Sequence, residues 1–146
     1  MIRKMKVSDI PAVLALENIA FKTPWTEDQF RYELLDNPYA VLWVYEEEGK
    51  IRGYYDLWII FENAELATIG VDPAFQKQGI GQKLMDHLTA EAMKHECENI
   101  GLEVRVSNLP AIKLYERNGF FTINVRPGYY KDQDGHEDAY RMMKGI

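Results

Sequence analysis

The chain has 146 residues, 47% hydrophobic and 12% aromatic, which is enough apolar material for one core and too little chain for two ordinary domains. Seventeen basic against 23 acidic residues leave a net charge of −6, which disfavours a nucleic-acid binder built on a broad basic face and suits a cationic peptide or amine as partner. No apolar run reaches the ~20 residues of a membrane span, and MIRKMKVSDIP lacks a secretory apolar segment, so a cytoplasmic protein without membrane contact is expected.

Residues 2–6 (IRKMK) alternate and predict a short strand. Ser8 or Asp9 then caps a helix with the apolar face Ile10, Val13, Leu14 and Phe21. In FKTPWTEDQF, Thr26 and Gln29 have capping-box spacing, and Phe30 and Leu34 give a second short helix an apolar stripe that ends before Asn37-Pro38. Tyr39 to Tyr45 and Ile51 to Phe61 are rich in Val, Ile, Tyr and Trp, and the EEEGK between them supplies a hairpin turn. Glu62-Asn63 reverses the chain into a third strand, residues 65–71, which completes an antiparallel meander.

DPAFQKQGIG is a loop of turn formers, and QKLMDHLTAEAMKH behind it repeats apolar residues at helical intervals up to His95. A strand at LEVRVSN and a short helix from Pro110 to Asn118 follow, with Gly119 as the residue beyond its end. FFTINV and AYRMMK close the chain as a hairpin around the polar loop KDQDGHED. The order β-α-α-β-β-β-α-β-α-β-β describes a single α/β domain over 1–146: a mixed, mostly antiparallel sheet with helices on both faces.

Three features carry candidate chemistry. In QKQGIG, Gly79 and Gly81 allow close approach of a ligand to the free N–H groups at a helix start, where an anion is favoured; Lys77 and Lys83 add charge. An ordinary strand-to-helix turn is the alternative, and the spacing fits neither a P-loop nor G-x-G-x-x-G. In LEVRVSN, Glu103, Arg105 and Ser107 face away from Leu102, Val104 and Val106, so alternation alone makes Glu103 the wet side of a half-buried strand. The lone Cys97 can form no internal disulfide, and with His87 and His136 in separate segments no metal ligand is expected.

Gln76, Gly79 and Gly81 match the Q/R-x-x-G-x-G/A signature of the GNAT superfamily of N-acetyltransferases, which the chain resembles along essentially its whole length. FKTPWTEDQF, LEVRVSNLPAIKLYERNGF, and YY followed by EDAYRM are similar to the RimI group within it, the ribosomal-protein-alanine N-acetyltransferases. The resemblance implies that acetyl-CoA enters where the fourth and fifth strands part. Its pyrophosphate would lie on backbone N–H groups of Lys77, Gln78, Gly79, Ile80, Gly81 and Gln82, its pantetheine and acetyl group along Ile69, Gly70 and Val71 with the Val71 N–H polarising the thioester carbonyl, and its pantetheine arm bonded by Asn108. It also makes Glu103 the base that draws a proton from the attacking amine, through one water, and Tyr115 the acid that returns one to sulfur. Glu65 is the second choice of base. Trp25, Tyr129 and Tyr130 would flank a peptide channel, or serve as core and rim packing.

The implied partner is the N-terminal peptide of a ribosomal protein, the alanine-starting eighteenth protein of the small subunit, with no direct nucleic-acid contact. Another amine acceptor, or a non-catalytic CoA-binding module, are the competing expectations. Lys22-Thr23 before Pro-Trp and Gly70 depart from the common pattern; the first bears on peptide contacts, and the second is expected to matter little.

Overall fold

The computed structural model describes residues 1–133 and 135–146. In chain order it contains β1 (Ile2–Lys4), α1 (Ile10–Ala20), α2 (Glu27–Leu35), β2 (Ala40–Glu47), β3 (Lys50–Ile60) and β4 (Asn63–Val71). Then come α3 (Ile80–Lys94), β5 (Asn99–Arg105), α4 (Leu109–Arg117), β6 (Phe121–Asp132) and β7 (Gly135–Gly145), with short 3-10 turns at 7–9 and 73–75. This is the expected element order.

Local chemistry explains the boundaries. Thr26 and Gln29 form the capping box of α2: the Gln29 N–H donates to Thr26 Oγ1 at 3.2 Å and the Thr26 N–H donates to Gln29 Oε1 at 2.8 Å. Glu48 and Gly49 turn the β2–β3 hairpin with φ of 53° and 75°, the left-handed pair that matches strand twist. α1 stops at Ala20, and Phe21, expected on its apolar face, is already extended.

The seven strands lie in the order β1-β2-β3-β4-β5-β7-β6, and every neighbouring pair is antiparallel except β4 with β5. One core, under α3 and α4, gathers Tyr55, Leu57, Leu66, Leu84, Leu88, Ile100 and Leu102. The other, under α1 and α2, gathers Ile10, Val13, Phe30, Leu42, Val44 and Tyr54. Burying both sheet faces is what holds the long mixed sheet between two helical layers.

Two irregularities position the site. β4 and β5 pair only over Asn63–Glu65 against Asn99–Gly101 and then part. Just beyond, β3 opposes Asp56 with Thr68 and Leu57 with Leu66, so Ala67 is an extra bulged residue that bends β4. The bulge also exchanges the faces of the strand. Ala64 and Leu66 pack in the α3 core, but two residues later Thr68 faces Glu17 of α1 while Ile69 and Val71 turn to the α3 side.

The second irregularity lies in β6, where Arg126 opposes Ala139 and Tyr130 opposes Glu137, leaving Pro127 to Tyr129 bulged. The closing hairpin is longer than expected: Lys131, Asp132 and Gly135 to Asp138 of the predicted loop KDQDGHED are strand, with Asp132 opposite Gly135. Cross-strand partners for Lys131 and Asp132 outweigh their polar composition. Residue 134 of that stretch lies outside the described residues.

Candidate active site

Where β4 and β5 separate, two cavities adjoin. The inner one, about 120 Å³, lies between Leu66–Ile69 of β4 and Leu102–Arg105 of β5 and is closed by Glu17, Phe21, Asn108 and Tyr115. The outer one, about 790 Å³, opens between Trp25, Tyr32, Glu33, Trp58, Glu65, Tyr129 and Tyr130. Thr23, Trp25, Leu66, Ala67, Glu103 and Tyr130 border both, so these six residues form the neck between them.

Glu103 sits on the rim of that neck. Strand pairing sets it opposite Arg141 of β7, whose Nη1 lies 3.3 Å from both Glu103 oxygens, and Arg126 Nε is 3.2 Å away. Arg141 also clamps Glu65 with two bonds, one from Nη1 at 2.7 Å and one from Nη2. Of the two candidate bases, Glu65 therefore holds the tighter bidentate pair and Glu103 the looser one. The Glu103 side chain is 16% exposed, half-buried rather than the solvated strand face that alternation alone suggests.

Tyr115 is buried against Phe120, with ring centroids 5.9 Å apart, and borders the inner cavity. Burial, and then the neighbouring Tyr130, push its phenol well above the ordinary range, so it keeps its proton at neutral pH. Asn108 caps α4 by accepting from the Ala111 N–H at 3.3 Å, which engages its carbonyl oxygen rather than its amide NH₂, and the residue also borders the inner cavity.

The glycine loop lies beyond the inner cavity, outside its lining. Lys77 and Gly79 have φ of 69° and 81°, and Gly79 precedes α3 without a side-chain cap. The first intrahelical bond is from Lys83 N–H to Gly79 at 3.0 Å, so the amides of Ile80, Gly81 and Gln82 precede it and are free for an anion. The Gln82 side chain exchanges amide bonds with Asn118, the residue just past the end of α4, at 2.8 and 3.0 Å, which leaves only its backbone for that role. A Cβ on Gly81 would lie 3.5 Å from Leu114 and 3.9 Å from Val71, so the loop sits between the end of β4 and α4. Ile69 borders the inner cavity; Gly70 and Val71 do not.

Trp25, Tyr129 and Tyr130 all border the outer cavity. Tyr129 and Tyr130, successive residues that a regular strand would send to opposite faces, both reach the outer cavity because of the β6 bulge, their rings 4.9 Å apart and edge to face.

Other residues of the site were missed by sequence reasoning. Arg105 donates to both Asp132 oxygens at 2.8 Å, to Glu137 at 3.1 Å and to Thr23 Oγ1 at 3.0 Å, and its guanidinium lies 4.3 Å from the Tyr130 ring centroid. Thr23 donates to Asp132 at 2.6 Å, so the loop before α2 is tied to the hairpin across the neck. No local pattern signals such a contact. Gly70 is also more constrained than expected: a Cβ there would come within 2.5 Å of the buried Tyr54 hydroxyl.

The family model for GNAT acetyltransferases matches residues 10–120. The chain belongs to the acetyltransferase (GNAT) family. It is an acetyl-CoA-dependent N-acetyltransferase. The ribosomal protein bS18-alanine N-acetyltransferase of Escherichia coli (strain K12) is 35% identical over 99% of this chain and 97% of that one. A Bacillus subtilis (strain 168) protein provisionally given the same activity is 37% identical over 99% of this chain and 95% of its own length. The crystal structure of the ribosomal-protein-S18-alanine N-acetyltransferase from Escherichia coli superposes with a TM-score of 0.91 at 34% identity, covering 100% of this acetyltransferase and 93% of that chain.

Proposed function

We propose that this acetyltransferase moves an acetyl group from acetyl-CoA to the N-terminal α-amino group of a ribosomal protein, the N-terminal alanine of bS18. The observation that carries the reading is the neck: an outer cavity wide enough for a peptide narrows at Glu103 into an inner cavity that holds Tyr115 and Asn108. The near full-length similarity to enzymes named for bS18 supports the acceptor.

Acetyl-CoA supplies an activated acyl carbon, and the attacking amine displaces the CoA thiol. An α-amino group, with a pKa of about 7.7 to 8.0, is partly deprotonated at neutral pH, so a modest base suffices. Glu103 takes the proton that the amine releases as its nitrogen bonds to the acyl carbon, through one water. Arg141 and Arg126 orient the carboxylate for this. Tyr115 gives its proton to the sulfur as the carbon–sulfur bond breaks. Burial keeps the phenol protonated at neutral pH, so Tyr115 has a proton to give. Asn108 holds the pantetheine arm through its amide NH₂. The amides of residues 77–82 face the pyrophosphate, with Lys77 adding charge. Ile69 lines the thioester, and the Val71 N–H polarises its carbonyl. Trp25, Tyr129 and Tyr130 enclose the peptide backbone.

Release of CoA thiol with a peptide copying the bS18 N-terminus, against a panel of polyamines and lysine side chains, tests the assignment. The alanine-starting peptide is expected to be the preferred acceptor. Acetylation of a panel amine with none on that peptide would overturn it.

A further inference from the structure

Glu17 is 2% exposed and plays no part in the reaction just described, yet it closes one end of the inner cavity. Burial pushes its carboxyl up, and a buried carboxyl persists only where hydrogen bonds compensate it. Three donors do so, one from the loop before α2, one from β3 and one from β4. The Trp25 backbone N–H donates to Oε2 at 3.0 Å, and to Oε1 the Tyr54 hydroxyl donates at 2.6 Å and the Thr68 hydroxyl at 3.2 Å.

Two of those donors belong to, or adjoin, opposite walls of the neck. Trp25 is a neck residue, and Thr68 follows Leu66 and Ala67, the bulged pair on the other side. The segment Thr23-Pro24-Trp25 is thus gripped twice, by Asp132 and Arg105 at Thr23 and by Glu17 at Trp25, with only a proline between. Gly70 completes the arrangement, since only a residue without a Cβ leaves room for the Tyr54 hydroxyl that reaches Glu17.

We infer that Glu17 is a positioning residue of the acceptor channel, fixing the distance between Trp25 and the β4 bulge and so the opening through which the amine passes Glu103. The inference rests on the proposed path of the acceptor through the neck. Its role is geometric: an acceptor oxygen for the Trp25 N–H is required, and negative charge is not. Glutamine keeps that requirement, because its carbonyl can serve Trp25 while its NH₂ donates to the Tyr54 and Thr68 oxygens. Leucine removes it and leaves a main-chain N–H without a partner.

The test compares Glu17→Leu and Glu17→Gln with the wild type in two independent readouts. Hydrogen exchange at the Trp25 amide needs no acceptor, so it stands whatever the true substrate is. The wild-type amide is expected to be protected, Glu17→Leu to speed exchange at least about tenfold, and Glu17→Gln to restore protection. Steady-state kinetics, with whichever amine the wild type acetylates, are expected to show an acceptor KM raised about tenfold in Glu17→Leu while acetyl-CoA affinity stays within about twofold. Glu17→Gln should recover that KM with an unaltered pH profile. An unprotected Trp25 amide in the wild type overturns the inference even if the leucine variant fails to fold. A glutamine variant as impaired as the leucine one overturns it too, because charge would then be what matters.

Discussion

Glu103 and Glu65 share one arginine, but they share it unequally. Arg141 grips Glu65 bidentately and meets Glu103 at 3.3 Å, so Glu103 keeps the greater freedom to turn toward a water in the neck. Glu103→Gln is expected to lower kcat by about 100-fold or more at neutral pH, whereas Glu65→Gln should lose far less; equal losses in pH-resolved turnover would move the base to Glu65 or to neither. Tyr115→Phe should reduce turnover on a similar scale while calorimetry finds acetyl-CoA affinity unchanged, and intact turnover would remove Tyr115 from the mechanism. Gly70→Ala places a methyl carbon against the Tyr54 hydroxyl and should destabilise the fold by about 1 to 3 kcal/mol in urea melts, with Tyr54→Phe relieving part of the strain in the double variant.

Between elements, the contacts over the neck are polar. Arg105 and Thr23 hold Asp132 down to about 2, the Arg105 hydrogen bonds being the larger cause, so the tie between loop and hairpin is intact at any pH an acetyltransferase meets. Asp132→Asn loosens it, and the acceptor KM should rise severalfold with acetyl-CoA affinity unchanged; an unaltered KM would mean the tie does not shape the channel. Beneath the outer cavity, Asp56 of β3 lies wholly buried beside Glu33, and burial with that neighbouring carboxylate pushes its carboxyl up to about 10. The unfolded carboxyl titrates near ~3.9. Between those values the folded chain keeps a proton that the unfolded chain has released, so stability falls as pH rises through the window. Melting temperatures at pH 6 and pH 9 should diverge in the wild type and converge in Asp56→Asn; the same fall in both would exonerate Asp56.

For the molecule as a whole, acidity gathers around the outer cavity. Asp28, Glu33, Glu65 and Glu103 border the outer cavity against a single bordering lysine, Lys131, so the KM of a basic acceptor peptide should rise with salt while that of a neutral peptide stays flat. Much of this was legible in the sequence. Element order followed from local periodicity and turn chemistry, as at the Thr26–Gln29 capping box and Glu48-Gly49. For Glu103, alternation in LEVRVSN gives only a solvated strand face, and its catalytic role and the cofactor cleft at the glycine loop come from the family resemblance alone. Glu17, at i+3 from Leu14 and i+4 from Val13, interrupts the apolar stripe of α1 and could have been noticed as a buried acid. What the sequence could not determine are the contacts that depend on register: Arg141 opposite Glu103, Arg105 against Asp132 and Thr23, and the insertion of β7 between β5 and β6. The bulges belong with them: the one extra residue at Ala67 reverses the face of the β4 side chains that follow, and the longer bulge at Pro127 to Tyr129 locally re-aims β6, and no alternation pattern records either. Sequence determined which chemistry the chain carries, because propensities and motifs act over a few residues; tertiary structure alone decided how that chemistry is aimed, because strand register and bulges are settled by packing between segments far apart in the chain.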